Sequence, residues 1–208
     1  MKNIVIQGDS ITDANRQQTI HGQGCGYAAF VNGYLCSKFP GKYKVVNTGV
    51  SGDKIINIYS RIKCDIWNHN PDFLSIFVGI NDIWHGYNPS NNGVDPVRFE
   101  KVYDLVIEET LERFPNVKIM LIAPFISKGA VLDDLGEKFE KEVYDRAKIV
   151  QKIADKHNLT CVTLQDKFDK AYNSYPEVNY WTVDGVHPTP AGHQLIADAW
   201  LDAFKKIN

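Results

Sequence analysis

Ser10, Asn81, Asp184 and His187 are the residues of this 208-residue chain whose types and places could do chemistry together. Ser10 follows Gly8-Asp9 directly after the apolar run Ile4-Val5-Ile6. A serine there either caps the next helix, the commoner use, or attacks a carbonyl, and attack needs a base and an orienter for that base. Asp184 and His187, with two residues between them, are taken alone most simply a turn aspartate and a surface histidine. The same spacing lets a carboxylate hold the imidazole tautomer and leaves the other ring nitrogen free to accept a proton. Asn81 comes soon after the run Phe73–Val78. Its ordinary use is a turn or cap, but its amide can also donate to a developing oxyanion. Gly49 and Gly52 lie in a loop that opens a helix, where backbone N–H groups point outward without partners and suit an anion.

These stretches act together only if the elements between them bring them to one edge. Ile4-Val5-Ile6 reads as a strand buried on both faces, the kind found in the middle of a parallel sheet. A polar, glycine-rich loop follows to Gly26, then an amphipathic helix near Tyr27–Phe39, stopped by Pro40-Gly41. Lys44–Asn47 is a second strand, and a helix is expected near Lys54–Trp67. Phe73–Val78 is the third strand. Phe99, Val102, Tyr103, Val106, Ile107, Thr110, Leu111 and Phe114 then mark one face of a long helix. Val117–Ile122 is the fourth strand and Ala123–Leu135 an irregular loop. A helix running to about His157, a fifth strand at Thr160–Leu164 and a final helix from about Pro190 complete the pattern. Strands alternating with helices predict an α/β fold, a three-layer α/β/α sandwich around a five-stranded parallel sheet of flavodoxin-like order. In such sheets the strand exits share one edge, and ligands bind there.

The length suits one domain over residues 1–208, with no linker or internal repeat. A hydrophobic share of 44% is enough for a full core, and a net charge of −2 gives no field for a polyanion, so nucleic acid is not an expected partner. No apolar run is long enough to span a bilayer and no targeting segment is visible, which predicts a cytoplasmic protein away from membranes. Cys25, Cys36, Cys64 and Cys161 are scattered, so reduced and mostly buried thiols are expected. Neither they nor the six histidines have a metal-ligand spacing.

Gly8-Asp9-Ser10-Ile11, the Gly49–Asp53 loop, Gly79-Ile80-Asn81-Asp82 and Asp184-Gly185-Val186-His187-Pro188 together resemble, in order, the four blocks of the SGNH/GDSL hydrolases. The resemblance covers nearly the whole chain. It implies an SGNH hydrolase fold and a serine esterase, with Ser10 as nucleophile, His187 as base and Asp184 as its orienter. It also implies an oxyanion hole from the Ser10 and Gly52 backbone N–H groups and the Asn81 side chain, and no metal or organic cofactor. Finer similarity in Gly8–Asp13, Gly26-Tyr27, Gly79–Trp84, Ala123–Phe125 and Val186–His193 looks like intracellular acetylxylan esterases. The substrate implied is a small acetylated carbohydrate or another short acyl ester, and enzymes of this kind are often homo-oligomers.

Trp84 and Trp181 are expected near the two catalytic loops, as walls of a small acyl pocket or as rings stacking on sugar, with core packing as their other reading; Tyr27 is expected in the loops around Ser10, on the substrate-binding surface. His85 replaces the arginine that follows that tryptophan in some relatives. Three other readings stand beside an acetyl esterase. A broader acylhydrolase, lysophospholipase or thioesterase would share the serine chemistry. A non-catalytic carbohydrate-binding relative would be expected to lack Ser10, Asn81 or His187, all present here. A nucleotide-binding protein is disfavoured, since the first loop is neither G-x-G-x-x-G nor a P-loop.

Overall fold

A computed structural model describes residues 1–207. Its centre is a five-stranded, all-parallel sheet in the order β2-β1-β3-β4-β5. The strands are β1 (Lys2–Gly8), β2 (Tyr43–Asn47), β3 (Phe73–Phe77), β4 (Lys118–Ile122) and β5 (Thr160–Val162). The helices are α1 (Ser10–Asp13), α2 (Tyr27–Lys38), α3 (Ile55–Ser60), α4 (Ile62–Asp65), α5 (Ile80–Trp84), α6 (Pro96–Arg113), α7 (Ala130–Lys156), α8 (Gln165–Ser174) and α9 (Pro190–Ile207). The α/β/α sandwich read from the alternating pattern is the fold of the chain.

Side chains alternate across a strand, so the continuous apolar run of β1 feeds two cores. Ile4 and Ile6 join one cluster with α2 and α9, which contribute Tyr27, Val31, Trp200 and Phe204. Val5 joins the other with α3, α6 and the end of α7, through Ile55, Ile58, Phe99, Tyr103, Val150 and Ile153. Trp200, wholly buried, places its indole N–H on Ser75 Oγ at 3.0 Å.

Several local expectations need correcting. The helix expected over residues 54–67 breaks at Arg61 into α3, α4 and a 3-10 turn at Trp67–His69. Ile55, Ile58, Ile62 and Ile66 all remain inside, so the apolar period survives the break and cannot reveal it. Arg61 turns its guanidinium onto Asp53 and Asp65 instead. Part of the loop expected at 123–135 is the start of α7, which bends at Gly136, where φ is +72°. The loop expected after Ser10 begins with a helical turn capped by Asp9. Cys25, Cys36 and Cys64 are exposed rather than buried; Cys36 and Cys64 lie on outward helix faces that the core does not need. No helix among the described residues is long and apolar enough to cross a membrane.

Candidate active site

β1 ends at Gly8, where a Cβ would lie 2.3 Å from Thr12 Oγ1 and 2.4 Å from the Phe77 carbonyl, so the chain can turn there only as glycine. Asp9 then caps α1 by accepting the Ile11 N–H at 3.0 Å, and Ser10 is the first helical residue. The facing loop is closed by a bridge between Thr182 and Pro188. Within it Asp184 Oδ1 accepts the N–H groups of Val186 at 2.9 Å and His187 at 2.8 Å. Asp184 Oδ2 lies 2.7 Å from His187 Nδ1, and His187 Nε2 lies 3.0 Å from Ser10 Oγ. An ionised carboxylate only accepts, so Nδ1 carries the ring proton and donates it in a hydrogen bond to Asp184; Nε2 is then the acceptor facing the hydroxyl. The segment leading into α7 and its first turn brace this loop: the Ser127 and Val131 N–H groups donate to the Gly185 and Asp184 carbonyls at 2.8 and 2.9 Å.

The hydrogen bond to Asp184 holds the His187 pKa above the ordinary histidine value. Burial opposes that shift, while the charges of Asp184 and Asp9 support it. Burial alone would raise Asp184. The hydrogen bonds from the His187 ring and from the His187 and Val186 N–H groups outweigh it, and its carboxyl ends below the usual range.

Ser10, Gly52 and Asn81 follow β1, β2 and β3, three neighbours in the sheet, so topology alone brings them to one edge. Gly52 sits at φ +84°, a conformation glycine adopts freely, with open space where a Cβ would be. Among the described residues its N–H has no protein acceptor. The Ser10 N–H, first in its helix, has no intrahelical one either. Asn81 is 6% exposed, and its Nδ2 donates to the Asp53 carbonyl at 3.2 Å. That uses one of two amide hydrogens and leaves the second for a ligand.

The three aromatic candidates separate. Trp84 is half-buried, with its ring 5.9 Å from that of His187 and 6.5 Å, edge to face, from that of Phe139. Trp181 packs on Tyr180 at 4.9 Å and donates its indole N–H to the Tyr175 carbonyl at 3.2 Å, so it braces the segment before Asp184. Tyr27 is not at the surface at all. It is fully buried, its hydroxyl 2.9 Å from Thr12 Oγ1, its N–H on His193 Nδ1 and its ring stacked on that histidine. The core claims the ring beneath α1, and a substrate role for Tyr27 is withdrawn.

Asp9 and Asp82, both about 1% exposed, were not singled out by sequence reasoning; burial pushes each carboxyl up to about 7. Neither signal is visible in a sequence, because each aspartate reads as part of the motif beside it. Asp13 also matters: its Oδ2 accepts from the Ser51 N–H and hydroxyl at 3.1 and 2.7 Å, tying α1 to the Gly52 loop. Elsewhere Asp104, Glu108 and His157 bring ligand-type atoms within 4.8 Å of one another. Lys156 already pairs with both carboxylates there, at 3.0 and 3.1 Å.

Comparison with known proteins gives the family. The model of the GDSL-like lipase/acylhydrolase family matches residues 6–195. An acetylxylan esterase from Geobacillus stearothermophilus is 32% identical over 206 residues, covering 95% of this chain and 91% of that protein. The crystal structure of Axe2, an acetylxylan esterase from the same organism, superposes with a TM-score of 0.85 at 30% identity, over 97% of this chain and 93% of the other. An α/β hydrolase enzyme from the metagenome of Lake Arreo, Spain, gives 0.86 at 28% identity, over 100% and 96%. The chain therefore belongs to the GDSL-like lipase/acylhydrolase family and is a carboxylic ester hydrolase.

Proposed function

We propose that this hydrolase is a serine esterase that removes acetyl groups from xylo-oligosaccharides or related small carbohydrates. The observation that carries the catalytic part is the unbroken chain Ser10 Oγ, His187 Nε2, His187 Nδ1, Asp184 Oδ2, with contacts of 3.0 and 2.7 Å. His187 takes the Ser10 proton as the oxygen attacks the ester carbonyl. It then protonates the departing alcohol, and a water repeats the sequence on the acyl-enzyme. Asp184 holds the tautomer and favours the imidazolium that forms. The Ser10 and Gly52 N–H groups and the free Asn81 amide hydrogen receive the oxyanion, a charge present only in the transition state, so these donors act on kcat.

The acetyl preference is supported by likeness to an acetylxylan esterase and by Trp84, whose ring beside His187 limits the room for a longer acyl chain. Three exposed free thiols suit a reducing compartment and support a cytoplasmic location. The test is a hydrolysis panel of acetylated xylo-oligosaccharides and aryl esters of increasing acyl length. Acetyl esters should be preferred, with a steep fall by butyryl. A preference for octanoyl over acetyl esters would overturn the deacetylase reading and leave the serine mechanism in place.

A further inference from the structure

The loops carrying Gly52 and Asn81 leave different strands, so something beyond the sheet must fix their spacing. Asp82 does so from beneath. Its carboxylate accepts the N–H of Ile55, with Oδ1 at 3.1 Å and Oδ2 at 3.3 Å. Ile55 opens α3, and its N–H has no acceptor inside that helix. The adjacent Asn81 donates to the Asp53 carbonyl at 3.2 Å, so residues 81 and 82 grip residues 53 and 55 by paired contacts just beyond Gly52. The main chain of Asp82 is held as well. Its carbonyl accepts the Val94 N–H at 2.7 Å, and a Cβ on Gly93 would stand 2.9 Å from that oxygen. Arg146, itself buried, secures the far side by donating to the Val94 carbonyl at 3.0 Å. Lys54, 3% exposed, ties the Gly52 side of the clamp to the Asn92 carbonyl at 2.6 Å.

A carboxylate in such a place is costly, and an apolar side chain of similar size would pack there without the desolvation penalty. What the acid supplies is an acceptor for a backbone N–H at one fixed distance. We propose that Asp82 is a positioning residue for ester hydrolysis: through Ile55 it sets the spacing between the Gly52 N–H and the Asn81 amide. Oxyanion donors act only within about 2.7–3.1 Å of the developing charge, so a small slip of one loop against the other removes a donor.

The inference rests on the oxyanion assignment above, and a double-mutant cycle separates the two. Asp82→Ala should lower kcat on a short aryl acetate by about 10- to 100-fold, the scale of a 1 Å misplacement, with KM little changed. Rates are taken per active site titrated with a serine-directed phosphonate. Asp82→Asn keeps one acceptor for Ile55 and should restore most of the loss. In an Asn81→Ala background Asp82→Ala should cost less than about threefold, because the Gly52–Asn81 spacing it sets no longer joins two donors. Ile55→Pro deletes the same contact from the donor side at a position where proline is tolerated, and carries the test if the alanine variant does not fold. Equal losses from the chosen variant in both backgrounds would overturn the inference. An Asn81→Ala enzyme with unchanged kcat would remove the oxyanion assignment first, and this inference with it.

Discussion

Replacing Asp184 by asparagine is a sharp perturbation because the two side chains have the same shape. Asp184 accepts three hydrogen bonds, from the His187 ring and from the N–H groups of Val186 and His187. An asparagine Oδ1 can keep both backbone contacts, so the loop should stay folded. Its Nδ2, however, presents hydrogens to His187 Nδ1, which must then accept. The ring proton moves to Nε2, where it faces Ser10 Oγ at 3.0 Å, and the base can no longer take the serine proton. The wrong tautomer in a related triad costs about 10⁴ in kcat, or about 5 kcal/mol of transition-state stabilisation. We expect that loss in Asp184→Asn and a larger one in His187→Ala, which removes the base itself. Steady-state hydrolysis of an aryl acetate, with enzyme quantified by circular dichroism, measures both. Any residual Asp184→Asn activity should show its acid limb at lower pH, since the group that raises the His187 pKa has been lost. A folded Asp184→Asn enzyme keeping more than about a tenth of wild-type kcat would refute the tautomer argument.

Two further outcomes follow from the same geometry. The kcat/KM of the wild type should fall as pH drops through the His187 pKa; that pKa is raised, so the midpoint lies above the ordinary value of about 6.5. Asp9 contributes charge to the same shift, so Asp9→Asn should move the limb down, and a pH–rate profile reads both effects. Trp84→Ala should open the space beside His187 and raise butyryl relative to acetyl turnover several-fold, measured on paired aryl esters; an unchanged ratio places the acyl group elsewhere.

Much of this arrangement was legible in the sequence, for a topological reason. A parallel sheet sends all its strand exits to one edge, so motifs at Ser10, Gly52 and Asn81 become neighbours once the strands are recognised. The Asp184–His187 pair was legible because both members sit on one short loop. Tyr27 was misread because an aromatic residue opening a helix looks the same whether it faces solvent or core; here Thr12 and His193 hold it inside. Asp9 and Asp82 stayed hidden because burial is a property of the packed molecule. The break at Arg61 was invisible because it preserves the apolar period. The early start of α7 was missed because Gly136 interrupts the helical pattern that Val131 and Leu132 belong to.

In the proposed mechanism the Ser10 hydroxyl is the nucleophile, activated by His187. The most direct measurement is peptide mapping by mass spectrometry after brief exposure to a serine-directed fluorophosphonate. The predicted result is one adduct, on Ser10, formed as hydrolysis is lost, abolished in Ser10→Ala and slowed by orders of magnitude in His187→Ala. An adduct on another residue that tracks the loss of activity, or full turnover by a folded Ser10→Ala protein, would contradict it.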